Sequence, residues 1–377
     1  MAGRYLAWVR LLCATLIATL IAAVLALPGI GSPASAAEPD IVRSLQWQIA
    51  KMRLEDVHRG ATGQGVVVAV VDSGVDAQHP DLTGQILQGP DLRATSDVDG
   101  RGTGLAGLIA GHGHGPFADG GDAGILGVAP GAKILPIAFA PNVAESGSAD
   151  ELATGIELAV NRGARIICIS RGVPTSERLQ FAIDVAFERN VLIIAADNST
   201  WPASYPGVLT AIPSDRTGEV RVSPASGRTT GLVVPGVELM TTDRAGGYRF
   251  ADGSAGAAVL AGSAAVVWSA NPDAKAAQIM NLLRSTATDR GTPGPDTQYG
   301  AGELNLLQAL RTGVPQAKPS PSAAVAAPAA PRADVPTRSI ASPLLDSTDW
   351  RRWLVVLPLL LFLVILALWS YRAAREH

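Results

Sequence analysis

The chain has 377 residues, with 30 basic and 33 acidic side chains, a net charge of −3 and a hydrophobic fraction of 47%. That balance excludes the basic bias of nucleic-acid binding, and the length accommodates one large domain with accessory segments. Apolar runs at both ends inflate the hydrophobic fraction and are set aside before the globular part is judged.

At the N-terminus Arg4 and Arg10 precede an apolar run from Leu11 to Leu27, followed by Pro28, Gly29 and the small-residue string Ala34-Ser35-Ala36-Ala37. This is the layout of a secretory signal peptide over residues 1–37, with Cys13 as filler inside the run. An uncleaved anchor is the alternative, because the run is near the lower length limit for spanning.

Residues 38–312 read as one globular domain. Its lead-in holds Gln46-Trp47, Leu54 to His58 and Thr62-Gly63-Gln64-Gly65, with Trp47 and His58 read as packing and surface residues. The pattern then alternates: strand 66–71, helix from about 103 to 110, strand 133–139, helix 149–162, strand 165–170, helix 177–189 and strand 191–196. Strands near Val208 and Leu232 follow, then helices from about 256 to 269 and 274 to 286, and a closing segment from Tyr299. Strands and helices at this spacing predict an α/β fold with a doubly wound, mostly parallel sheet. With the signal removed only Cys168 remains, so no intramolecular disulfide is possible, and its setting in Arg165-Ile-Ile-Cys-Ile-Ser170 reads as a buried small hydrophobe.

Residues 313–350 are rich in Pro, Ala and Ser and read as a tether that cannot bury enough apolar surface to fold. Residues 353–371 form a run of about nineteen without charge, long enough to cross a bilayer, and 372–377 form a tail carrying Arg372 and Arg375. A cleaved signal followed by this span predicts a single-pass cell-membrane protein with its main domain extracytoplasmic and its tail inside. Arg351 and Arg352, on the other flank, work against the charge argument for that orientation.

The stretch Val66-Val-Val-Ala-Val-Val-Asp72-Ser-Gly-Val-Asp-Ala-Gln-His79-Pro-Asp-Leu82 carries the chemistry. Six apolar residues without polar alternation suit a central strand covered on both faces, and Asp72 ends it where α/β sheets place their sites. Read alone, such an Asp is equally a cap for the next element. The whole string resembles the aspartate motif of the subtilisin-like serine proteases. Within that family the Gln46-Trp47 lead-in, signal peptide, Pro-rich tether and C-terminal span are similar to mycosins, the membrane-anchored proteases of type VII secretion.

The resemblance covers about residues 44–310 and implies a site with Asp, His, Asn and Ser in that chain order. Asp72 takes the aspartate's place. The family's Gly-His-Gly-Thr string matches Gly100-Arg101-Gly102-Thr103, with Arg101 where histidine belongs; Leu126-Gly127-Val128-Ala129-Pro130 continues the match in register. Asn198 matches the oxyanion asparagine, with Asp197 before it where glycine is usual. Ser170-Arg171-Gly172 matches the substrate-binding strand, where Ser170 and Gly172 keep the family's residues and Arg171 adds a cation. Ser254, in Asp252-Gly253-Ser254-Ala255-Gly256-Ala257-Ala258, matches the nucleophile, with the two residues before it and the family's later Pro changed. No cofactor and no metal is expected at the site. His112 and His114 in Gly111-His-Gly-His-Gly115 read as an exposed loop pair, about 16 Å along the helix from Arg101 and too far to replace the histidine.

A guanidinium has no lone pair at neutral pH with which to take the serine's proton. In subtilisin, the type member of the family, losing the histidine alone is known to cost roughly 10⁶ in turnover. The expectation is therefore an impaired, mycosin-like pseudo-protease whose partners are the membrane and either secretion-system membrane proteins or secreted peptides; an active serine endopeptidase is the alternative. Guanidinium geometry further predicts a direct Arg101–Asp72 ion pair.

Overall fold

The computed structural model describes residues 40–90, 97–115, 123–140, 147–196, 201–220, 230–251 and 253–315. The expected signal peptide, most of the tether, the span and the tail lie outside these residues. In chain order the elements begin with α1 (Ile41–Ser44), α2 (Trp47–Met52), α3 (Leu54–His58), β1 (Val67–Asp72), α4 (Arg101–Ala110), β2 (His112–His114), β3 (Ala123–Leu126) and β4 (Lys133–Ala138). They continue with α5 (Ala149–Asn161), β5 (Ile166–Ile169), α6 (Glu177–Glu188), β6 (Leu192–Ala196), β7 (Leu209–Ser214), β8 (Leu232–Pro235), β9 (Leu239–Thr242), β10 (Tyr248–Ala251), α7 (Gly256–Ala270), α8 (Ala276–Ser285) and α9 (Leu306–Thr312).

Six strands form one sheet in the order β4-β1-β5-β6-β7-β8, and each neighbouring pair is parallel. Apolar cores lie on both faces, which is why these strands read as continuous hydrophobic runs. Alternation sorts their side chains. Val68, Val70, Ile166, Cys168 and Ile194 join the core built with α4, α7 and α8, while Ala69, Val71, Ile167, Ile169 and Ile193 join the core built with α5 and α6. Asp72, two residues after Val70, therefore falls on the α4/α7 face. That parity aims a carboxylate at the start of α4.

Cys168 is free and fully buried, and burial pushes its thiol well above the ordinary range, which suits the packing role expected of it. Element ends differ from the sequence reading by a residue or two; the helix expected from about Thr103 begins at Arg101. One departure is larger: the glycine-flanked histidines expected in a loop form strand β2, which pairs antiparallel with β3. A second antiparallel hairpin, β9–β10, packs beside α4.

At the start of α4, a Cβ on Gly102 would stand 1.9 Å from the carbonyl oxygen of Gly74, a backbone atom that cannot step aside cheaply. Gly102→Ala gains about 1 kcal/mol of helix propensity, yet overpacking of this kind costs about 1–3 kcal/mol. We expect the variant to be less stable in denaturant titration; an unchanged or raised midpoint would contradict this packing.

Candidate functional site

Asp72 has no exposed surface. One carboxylate oxygen, Oδ1, accepts the Ser73 amide at 2.8 Å and faces Arg101 Nε at 2.7 Å; the other accepts the Ser170 hydroxyl in a short hydrogen bond. Burial pushes the carboxyl above its usual range, and Arg101 and these hydrogen bonds pull it back down. The ion pair expected between Asp72 and Arg101 is present, and it is buried, since the Arg101 side chain is only 9% exposed.

A second carboxylate grips the same guanidinium: Arg101 Nη1 lies 2.7 Å from Asp99 Oδ2. Arg101 can hold this position because the helix starts under it. Buried Asp97 accepts the Gly100 amide at 2.8 Å through Oδ1 and the Thr103 amide and hydroxyl at 2.8 and 2.6 Å through Oδ2, satisfying donors that a helix start leaves open. Asp97 also accepts the Ser73 hydroxyl at 2.9 Å, and Ser73 Oγ accepts the Gly102 amide, so the aspartate loop and α4 are tied together. Sequence reasoning missed Asp97 and Asp99. An acid four residues before Arg101, at the mouth of a helix, was the available signal.

Ser254 occupies a single 3-10 turn, Gly253–Ala255, that runs into α7, and it lines a pocket with Arg101 and Arg249. The structure thus brings three of the expected residues, Asp72, Arg101 and Ser254, to one end of the sheet. Ser170 is buried with its hydroxyl committed to Asp72, so any substrate contact from this residue falls to its backbone. Gly172 and Arg171 are partly exposed beyond it. Asn198, Asp197 and Asp252 lie outside the described residues.

The remaining histidines serve other ends. His79 is buried, accepts the Asp81 amide at Nδ1 and bonds the Gly247 carbonyl through Nε2 at 2.9 Å. His114, expected to be a loose loop residue, donates from Nδ1 to the buried Asp81 carboxylate at 2.6 Å, and His112 bonds the Thr83 carbonyl. Asp81 also accepts the Ile125 amide at 2.7 Å, so a buried carboxylate organises this hairpin. Such a tertiary partner leaves no mark on local sequence. Among the described residues no cluster of His, Cys, Asp or Glu has a metal-binding arrangement.

Chemically, the group that faces Asp72 donates hydrogen bonds and holds its proton, so it stabilises negative charge and cannot serve as a general base. Asp72, Arg101 and Ser254 thus put a buried carboxylate, a permanent cation and a hydroxyl at one end of the sheet.

Comparison with known proteins gives the family. The Subtilase family profile matches residues 63–302. Subtilisin Savinase of Lederbergia lenta is 33% identical over 280 residues, covering 71% of this chain and 100% of that protein. An alkaline protease of Alkalihalobacillus alcalophilus is 33% identical over 282 residues, covering 72% and 71% respectively. Among solved structures, MycP1 with its N-terminal propeptide removed superposes with a TM-score of 0.58 at 27% identity, covering 70% of this chain and 96% of that one. Fervidolysin of Fervidobacterium pennivorans, a keratinolytic enzyme related to subtilisin, gives 0.60 at 29% identity, covering 73% and 48%.

Removing one member of a buried pair leaves the other uncompensated, a loss of about 3–5 kcal/mol. Arg101→Gln should therefore destabilise the fold far more than Ser254→Ala, and adding Asp72→Asn to Arg101→Gln should recover part of the loss. The pH trend has a definite sign. Without Arg101, burial is opposed only by the Ser170 and Ser73 hydrogen bonds, and the folded pKa of Asp72 rises further above the unfolded value. The folded variant then binds the proton more tightly, so its deficit should shrink as pH falls through the carboxylate range and widen towards neutrality. Chemical denaturation at several pH values checks this, and a pH-independent deficit would contradict it.

Proposed function

The chain belongs to the subtilase family, and from that premise we propose that it is a membrane-anchored, mycosin-like subtilase that has lost proteolysis and serves a type VII secretion assembly as a structural or peptide-binding component. The observation that carries the reading is the Arg101–Asp72 ion pair at 2.7 Å. Arg101 follows Gly100 and precedes Gly102-Thr103, the string in which the family places its histidine, and its guanidinium reaches the carboxylate that would orient that histidine. A base is needed to activate Ser254, and a guanidinium bound to two carboxylates is the least able of side chains to act as one. The Arg171 and Asp197 substitutions in neighbouring motifs fit release from catalytic constraint.

The mycosin-like assignment draws on the lead-in around Gln46-Trp47, the Pro-rich segment and the apolar run at 353–371, together with the likeness to MycP1. On this reading residues 1–37 are a signal peptide, 38–312 the extracytoplasmic domain, 313–350 a tether, 353–371 a transmembrane helix and 372–377 a cytoplasmic tail.

The purified full-length protein should not hydrolyse peptide substrates above background; hydrolysis that disappears on Ser254→Ala would establish an active endopeptidase instead. Arg101→His alone need not restore activity, because a displacement near 1 Å of serine or oxyanion donors is enough to cost about a hundredfold. For the anchor, deletion of residues 346–377 should release the protein into the medium, and a truncated chain that stays with the membrane would place the anchor elsewhere.

A further inference from the structure

Ser254 stands in a corner formed by the start of α4, the β9–β10 hairpin and the turn before α7. Arg101, Leu105, Thr241, Arg249 and Ala251 close around it and leave about 10 Å³ of room, the space of about one water. A peptide carbonyl with its flanking backbone needs far more. The walls on the α4 side are fixed. Arg101 is held by Asp72 and by Asp99, each at 2.7 Å. Helix α4 and strand β9 meet at glycines, where a Cβ on Gly104 would stand 3.1 Å from the Thr241 Cγ2 methyl and one on Gly107 2.2 Å from Thr242 Oγ1. The Thr241 and Thr242 hydroxyls donate to the Gly104 and Thr103 carbonyls at 2.6 and 2.7 Å, so these elements cannot part without breaking buried hydrogen bonds.

Arg249 is a wall of another kind. It lies on β10, which among the described residues pairs with β9 alone, and it is only partly buried. Its Nη1 donates to the Asp99 backbone carbonyl at 3.1 Å, so the residue whose carboxylate grips Arg101 also moors Arg249 through its main chain. Gly100, at a φ of 83°, permits the approach: a Cβ there would stand 2.0 Å from Asp243 Oδ1 and 3.1 Å from Arg249 Nη1. We propose that Arg249 is a closing residue whose side chain, moored to Asp99, shuts the surroundings of Ser254 against a peptide carbonyl. This goes beyond the function proposed above, which removes the proton acceptor; closure removes access. It is also the contact most readily released, because swinging Arg249 aside gives up a hydrogen bond to a neutral carbonyl, whereas displacing Arg101 breaks a buried ion pair.

The test places a thiol at the serine. Full-length Ser254→Cys is treated with methyl or benzyl methanethiosulfonate, two uncharged reagents, and labelling at position 254 is timed by mass spectrometry of digests, which separates it from the buried Cys168. Dividing the methyl-to-benzyl rate ratio by that of the urea-unfolded chain removes the reagents' own difference in reactivity. Closure predicts a corrected ratio of at least about tenfold, since the larger reagent reacts only through the open fraction, and adding Arg249→Ala should lower it at least about threefold. Should Arg249→Ala fail to fold, Arg249→Met, which keeps the stem and removes the head, is read in the same way. If neither reagent labels the folded Ser254→Cys protein, closure stands only when the Arg249 variant restores labelling. A smaller corrected ratio, or one that loss of the Arg249 head leaves unchanged, overturns the proposal. Free access at position 254 without peptide hydrolysis by the unmodified chain would leave the missing base standing, so the two claims fail separately.

Discussion

The buried carboxylate of Asp72 is the constraint on which the site depends. A strand that ends inside the protein, covered on both faces, delivers a charge to a place without water, and such a charge is tolerated only when paired and hydrogen-bonded. Arg101 supplies the opposite charge, and Ser170 and the Ser73 amide supply hydrogen bonds. The rest of the local architecture serves that encounter. Asp97 pins the first turn of α4, Ser73 bridges the loop to the helix, and glycine at position 102 lets the helix approach the backbone of Gly74. An enzyme of this family would use the same frame to orient an imidazole. On the function proposed above, a guanidinium keeps the frame stable and offers no proton acceptor.

Much of this was legible in the sequence. The unbroken apolar run into Asp72 gave away a central strand, and two-residue periodicity then fixes the face on which its carboxylate emerges. The Gly100-Arg101-Gly102-Thr103 string placed Arg101 opposite it, and the reach of a guanidinium was enough to anticipate the pair. The α/β alternation gave the sheet, since its helices and strands are amphipathic or apolar enough to declare themselves.

What stayed hidden depends on tertiary contact. Strands β2 and β10 are short, and nothing in Gly111-His-Gly-His-Gly115 reveals that His114 meets the buried Asp81 from a distant loop. The N-terminal segment is similar: Asp40 accepts the Gly124 amide, Arg43 donates to the Gly124 carbonyl, and Gln46 bonds both backbone groups of Leu126, so side chains substitute for a neighbouring strand. Helix α7 illustrates the converse. With the turn before it, it is long and apolar enough to cross a membrane by composition, yet it is the buried central helix of the domain. Length and apolarity identify a segment that avoids water, and only its surroundings say whether protein or lipid provides the shelter.

The central claim is that Ser254 lacks a base. The rate at which a fluorophosphonate probe labels the full-length protein tests this most directly, because the probe reports activation of the serine without requiring recognition of a peptide. The account predicts labelling no faster than in the Ser254→Ala variant, at every pH from mildly acidic to mildly alkaline. Rapid labelling that maps to Ser254 and rises with pH through the range of a histidine base would contradict it.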